Sequence, residues 1–153
     1  MNAKQISDKS IISNKRGAAL VEMALIVSLL FVLLFGLIDF GLLLKDYLAL
    51  SQVSREASRS AAVGSSMATI NSRISTWCSS VGLDYSDLEP TIVFTDPNTG
   101  EVYPLGDSGT HNDAPMGAMI SVTLEYPHQM IAGGLFGVPD NWQLQTTMVT
   151  RRE

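Results

Sequence analysis

Residues 18–44 form an apolar run, AALVEMALIVSLLFVLLFGLIDFGLLL, in which Glu22, Ser28 and Asp39 are the only polar side chains. As an α-helix rising about 1.5 Å per residue, residues 18–38 alone reach about 31 Å, enough to cross a hydrocarbon core of roughly 30 Å. A cleaved secretory signal has a shorter apolar core, of about 7 to 15 residues, with a small-x-small cleavage site close behind it. Here the run continues through Leu42, Leu43 and Leu44. The segment is therefore expected to stay attached as a single membrane span.

Charge is distributed as a membrane span requires. Ahead of the run stand Lys4, Lys9, Lys15 and Arg16 against Asp8, a net +3; from Ala18 onward six Lys/Arg face fourteen Asp/Glu, a net −8. Basic residues accumulate on the cytoplasmic side, which puts the N-terminus inside and residues 46–153 outside the cytoplasmic (inner) membrane. The overall 46% hydrophobic content thus averages an apolar helix with an ordinary acidic body. That body offers no basic patch for nucleic acid. Cys78 is the only cysteine, which excludes an intrachain disulfide and a cysteine-based metal cluster. The length of 153 residues suits one folded unit behind the span.

Glu22 is the anomaly within the run. A charge at the centre of a membrane helix costs about 2.5 to 3.5 kcal/mol, less near an interface. Glu22 stands four residues into the segment, so it either reaches back to the headgroups and the helix N-terminus or meets a partner inside the membrane.

The junction Lys15-Arg16-Gly17-Ala18-Ala19-Leu20-Val21-Glu22-Met23 carries more information than Glu22 alone. A basic leader ending in Gly, with Glu five residues later and an apolar helix beyond, resembles the class III signal cut by prepilin peptidases. The resemblance implies cleavage between Gly17 and Ala18 on the cytoplasmic face. It also implies that Glu22 meets the new ammonium of Ala18 on a neighbouring subunit, a pairing that relieves two charges deprived of water. Met23 stands where such prepilins commonly carry an aromatic residue. Further on, Gly36-Leu37-Ile38-Asp39-Phe40-Gly41 is similar to the step that closes the membrane helix of TadE-like proteins. Arg55-Glu56-Ala57-Ser58-Arg59-Ser60-Ala61-Ala62 resembles the segment that follows it in them, and the tail Arg151-Arg152-Glu153 is similar to many members.

What this resemblance implies is a minor pilin-like subunit of a Tad (Flp) pilus assembly system, acting by helix packing and not as an enzyme. Its implied partners are the prepilin peptidase, other pilus subunits both minor and major, the inner-membrane assembly platform and membrane lipid. No cofactor and no metal are implied. Whether the mature chain enters the filament, caps it or stays in the membrane is left open. Two other readings compete: an unprocessed, membrane-anchored binding or sensor module, and a pseudopilin of type II secretion. Gly17 and Glu22 speak against the first, and the segments around Asp39, Phe40 and Gly41 and around Arg55, Glu56 and Arg59 against the second.

The remaining pattern predicts an α+β fold: a long N-terminal pilin-like helix, a second helix and a small antiparallel sheet. The organisation reads as a leader over 1–17, a transmembrane helix over 18–44, its extracytoplasmic continuation over 45–64 and a small α+β domain over 65–153. No Gly or Pro interrupts residues 42–63, so one helix is expected from Ala18 to about Val63, of the order of 65 Å long. Gly64-Ser65-Ser66 ends it, and Ile70, Ile74, Trp77 or Cys78, and Val81 mark an amphipathic helix stopping at Gly82. Strands are expected over 91–95 and 101–103, as a hairpin across Asp96-Pro97-Asn98-Thr99-Gly100, then over 119–126 and 144–150. Residues 104–117 read as a polar loop and 130–142 as an apolar, Gly-rich connection.

Three features invite chemistry and are read without it. Cys78 lies on the apolar stripe of its helix and is expected to be a small buried hydrophobe. Asp84, Asp87 and Glu89 lack the spacing of an EF-hand and are expected to form a solvated loop. Gly106-Asp107-Ser108-Gly109 matches the tetrapeptide around a trypsin-like nucleophile, but His111 and His128 both follow the serine and the body is too small for that fold. It is expected to be a turn.

Overall fold

The structure, a computed structural model, describes the backbone of residues 3–137, 139 and 141–153, and the side chains from residue 17 onward except those at 135, 136, 138 and 140. The charged leader side chains fall outside that description. The elements run α1 (Ala3–Ala62), α2 (Met67–Val81), a 3-10 turn (Tyr85–Asp87), β1 (Glu89–Thr95), β2 (Val102–Pro104), β3 (Asp107–Ser108), β4 (His111–Asn112), β5 (Met119–Gln129), α3 (Gly133–Phe136) and β6 (Asn141–Arg151). The architecture is α+β, with a long N-terminal helix, a second helix and a small antiparallel sheet. Helix α1 begins within the basic leader and contributes to two compact units, Met1–Phe40 and Gly41–Glu153.

The second unit is built on the period of α1. Ala49, Leu50, Val53, Ser54, Ala57, Ser58 and Ala61 recur at three- and four-residue steps and are all buried. Most of these side chains are small, so the sheet can approach the helix backbone closely; Ser54 Oγ donates to the Val122 carbonyl at 3.5 Å. Helix α2 starts where Ser66 Oγ accepts from the Thr69 amide and stops at Gly82, whose φ of 77° is left-handed. Its buried face is Ile70, Ile74 and Cys78, while Trp77 is 38% exposed, which resolves the alternative at the third position. Each fully buried aliphatic side chain on this face contributes about 1.5 to 3 kcal/mol.

The four-stranded sheet has the order β2-β1-β5-β6, antiparallel throughout. Central strand β5 alternates Ile120, Val122 and Leu124 into the core, opposite Phe94, Ile92 and Pro90 on β1. On the outer face Thr91, Thr123 and Thr147 stand in one row, with Thr123 and Thr147 hydroxyls 3.0 Å apart.

Strands β5 and β6 are both longer than the periodicity predicts. The strand expected over 119–126 runs through Pro127 to Gln129. Past Glu125 it is paired with β6 only, the edge condition under which a strand tolerates proline. Strand β6 begins at Asn141 because Gln129 pairs with it, which shortens the expected connection over 130–142; Val138 and Asp140 of that connection lie outside the described residues. The expected polar loop over 104–117 is partly structured. β3 and β4 form a two-residue ladder, His111 bridges to Ser65, and Leu105, Asn112 and Ala114 are buried. The Gly106–Gly109 tetrapeptide is therefore not itself the turn: Asp107 and Ser108 form β3, and Gly109 opens the turn of a tight hairpin.

This hairpin closes the end of α1. The Gly64 amide donates to Ala61 O and the Ser65 amide to Ser60 O, the paired bonds of a Schellman motif with Gly64 at φ 83°. Asn112 Nδ2 donates to Ala61 O at 2.9 Å, and the Glu153 amide to Ala62 O at 3.1 Å. A Cβ on Gly64 would collide with the Arg152 guanidinium, whose Nε and Nη1 are buried without a partner among the described residues. Gly64→Ala is therefore expected to cost more than the about 1 to 2 kcal/mol of a left-handed non-glycine residue. Gly100, at φ 73° with open space around it, supplies the control: Gly100→Ala should cost the backbone part alone in a thermal unfolding comparison.

Candidate functional site

Between Gly17 and Ile38 no side chain of α1 is buried. Leu20 is 72% exposed, and Leu25, Leu29, Leu30, Leu33 and Leu37 are exposed with it. A helix apolar on every side and covered by nothing of its own chain belongs in a membrane or against other apolar helices. Within it Ser28 is satisfied locally, its Oγ donating to Ala24 O at 2.7 Å. Among the described residues this is the one helix long and apolar enough to span, and its length and composition are those of a single-pass membrane anchor.

Gly17, Ala18 and Glu22 all lie on this helix with exposed surface, and nothing stands within 4 Å of the place a Gly17 Cβ would occupy. Glu22 is one helical turn beyond Ala18, on the same face. Asp39 is 2% exposed whereas Phe40 and Gly41 beside it are exposed. Arg55 and Arg59 project outward from α1 with Glu56 half-buried between them, and no ion pair joins Glu56 to either among the described residues. These residues do not converge on one pocket. They are strung along a single helix, an arrangement suited to contact with another helix or a lipid, not to acid-base or nucleophilic chemistry.

One polar cluster escaped the sequence reading. His128, on β5 and 3% exposed, donates from Nδ1 to Asp46 Oδ2 on α1 at 2.8 Å, and Lys45 Nζ lies 3.5 Å from the other Asp46 oxygen. His128 Nε2 is buried with no partner among the described residues. Beside this cluster is a cavity of about 340 Å³ whose walls include Lys45, Asp46, Asp87, Tyr126, His128 and Gln129. Asp46 and His128 are 82 positions apart, and no local pattern signals that strand β5 carries its last buried side chain back to α1.

The acidic loop has a structural use. Asp84 accepts from the Ser86 amide at 2.9 Å and the Ser86 hydroxyl at 2.8 Å, and these bonds hold its carboxyl below the usual range. The Tyr103 hydroxyl donates to Glu101, whose carboxylate pushes the phenol up. Cys78 is fully buried, and desolvation raises its thiol above the ordinary value, so little thiolate is available for reaction. Among the described residues no group of three or more His, Cys, Asp or Glu side chains is arranged to hold a metal ion.

An exposed apolar helix leading into a small α+β unit fits a pilin-like subunit. The family whose model matches the chain is described as TadE-like protein, and the match covers residues 17–59. That interval contains Gly17, Ala18, Glu22, Asp39, Phe40, Gly41, Arg55, Glu56 and Arg59, so the chain carries a TadE-like N-terminal segment. No curated protein and no solved structure matches the chain.

Proposed function

We propose that the chain is a TadE-like minor pilin subunit of a Tad (Flp) pilus assembly system, non-catalytic, processed by a prepilin peptidase and acting through helix packing with other subunits. The observation that carries this reading is the coincidence of the TadE-like match, residues 17–59, with an apolar helix that its own chain leaves uncovered. The leader stays on the cytoplasmic side, cleavage separates Gly17 from Ala18, and the second unit stands outside the membrane.

Mass spectrometry of the chain extracted from membranes of cells with an active prepilin peptidase tests the processing step. The expected N-terminus is Ala18, and Gly17→Leu should leave the chain uncut yet membrane-bound. A wild-type chain that still begins near Met1 would defeat the proposal.

Orientation is read by a membrane-impermeant thiol reagent on a Ser108→Cys variant. Ser108 is exposed, and buried Cys78 does not compete for the reagent. Labelling of intact cells, once any outer envelope is made permeable, is expected; labelling only after the inner membrane is opened reverses the topology.

A further inference from the structure

Two contacts inside the second unit fix the direction in which β5 runs along α1. The Val122 carbonyl accepts from Ser54, and further along the same strand His128 meets Asp46. As β5 advances, its partners on α1 step back from position 54 to position 46, about 12 Å along the helix axis toward the apolar run. Gln129, the last residue of β5, lines one cavity with Leu42 and Lys45, so the strand ends level with the leucines that close that run. Strand β6 starts at Asn141, directly opposite Gln129. The connection between the two strands thus leaves from, and returns to, the end of the unit where hydrocarbon gives way to headgroups.

What the chain places there is apolar. Residues 129–139, QMIAGGLFGVP, include no charged side chain. Ile131, just past β5, is 66% exposed. Trp142 lies opposite His128, on the same face of the sheet, and is 43% exposed. On α1, Tyr47 and Leu48 are exposed as well. Tryptophan and tyrosine collect at the membrane–water boundary, where an apolar ring and a polar edge are both satisfied. The carboxylates limit the depth: Asp46 is held by His128 and Asp87 is exposed beside the same cavity, so both belong on the water side.

We infer that Met130, Ile131 and Trp142 rest in the headgroup–acyl boundary of the leaflet that the second unit faces, a second membrane contact beside the span. The occupant of this surface is lipid of the bilayer that α1 crosses, because the surface continues the level at which the apolar run ends. The inference rests on the membrane-anchored reading of α1 and is independent of any role in a pilus.

The test puts a nitroxide on one introduced cysteine at a time in the full chain, with a single copy per nanodisc, and compares collisions with oxygen, which concentrates in lipid, and with a water-soluble nickel chelate. Ile131→Cys, Leu30→Cys and Ser108→Cys alter exposed side chains, and Cys78 is buried away from the label. Oxygen should dominate at position 131 as at position 30, at a shallower depth, and the chelate at position 108. Chelate dominance at 131 with oxygen dominance at 30 overturns the inference and leaves the membrane anchor standing; chelate dominance at both removes the anchor and the inference with it. Weak collision with both reagents at 131 marks a site covered by protein and also overturns the inference. In a second readout Trp142 is the sole tryptophan, in a Trp77→Phe background. Its fluorescence should be quenched by brominated lipid, with a loss of quenching in Ile131→Asp; absent quenching, or quenching that Ile131→Asp leaves unchanged, overturns the shared contact.

Discussion

Glu22→Ala is expected to abolish pilus assembly while leaving membrane insertion and cleavage after Gly17 largely intact. On the proposed reading, recognition by the peptidase rests on Gly17 and the basic leader, neither of which the substitution touches. Assembly differs, because the freed Ala18 ammonium of an incoming subunit would enter a low-dielectric helix seam without its counter-charge. Breaking a buried ion pair by removing one partner costs about 3 to 5 kcal/mol. The side chain is exposed on α1 and so is free to meet a neighbour. Glu22→Asp keeps the charge with a shorter reach and should give a partial defect. If Glu22 instead only reaches back to the headgroups, alanine is tolerated or even favours membrane residence. The measurement is pilus yield, with co-purification of other pilus subunits, in a strain where processing of the variant has been verified. Normal piliation by processed Glu22→Ala would sink the pairing.

Asp46→Ala should destabilise the second unit by about 1 to 3 kcal/mol. The loss leaves the His128 Nδ1–H without its acceptor in a ring that is 3% exposed and whose other nitrogen already has no partner among the described residues. For a unit of roughly a hundred residues this corresponds to a Tm lower by about 4 to 12 °C. Asp46→Asn retains an oxygen acceptor and should recover most of the difference. Replacing both partners together, Asp46→Leu with His128→Phe, is expected to cost less than the sum of the single changes, because no polar group is then left orphaned. Near-UV circular dichroism melts of the detergent-solubilised chain decide it; Asp46→Ala melting with the wild type would show that the bond contributes nothing.

The contrast between these two residues mirrors what can be read from the chain. Glu22 announces itself, since one carboxylate in an apolar run has a large transfer cost wherever the rest of the protein lies. Asp46 does not, because an acidic residue beside a lysine just past a membrane span looks like ordinary solvated charge. The stop of α2 was legible for the same local reason as Glu22, since Gly82 acts on the backbone within one turn, whereas the cap at Ser66 emerged from the structure. Strand ends were not, since Pro127 and Asn141 belong to strands only through the partners opposite them.

Sequence alone therefore determined the apolar helix, the α+β class, the helix stops at Gly64 and Gly82 and the central strand pattern. Each depends on solvent transfer or on dihedral preferences acting over a few residues. Only the tertiary structure decided the order β2-β1-β5-β6, the partly ordered segment over 104–117, the closure of α1 by Asn112, Arg152 and Glu153, and the meeting of His128 with Asp46 beside a cavity. Those features join positions tens of residues apart, and their energies exist only once the core has brought the partners within hydrogen-bonding distance.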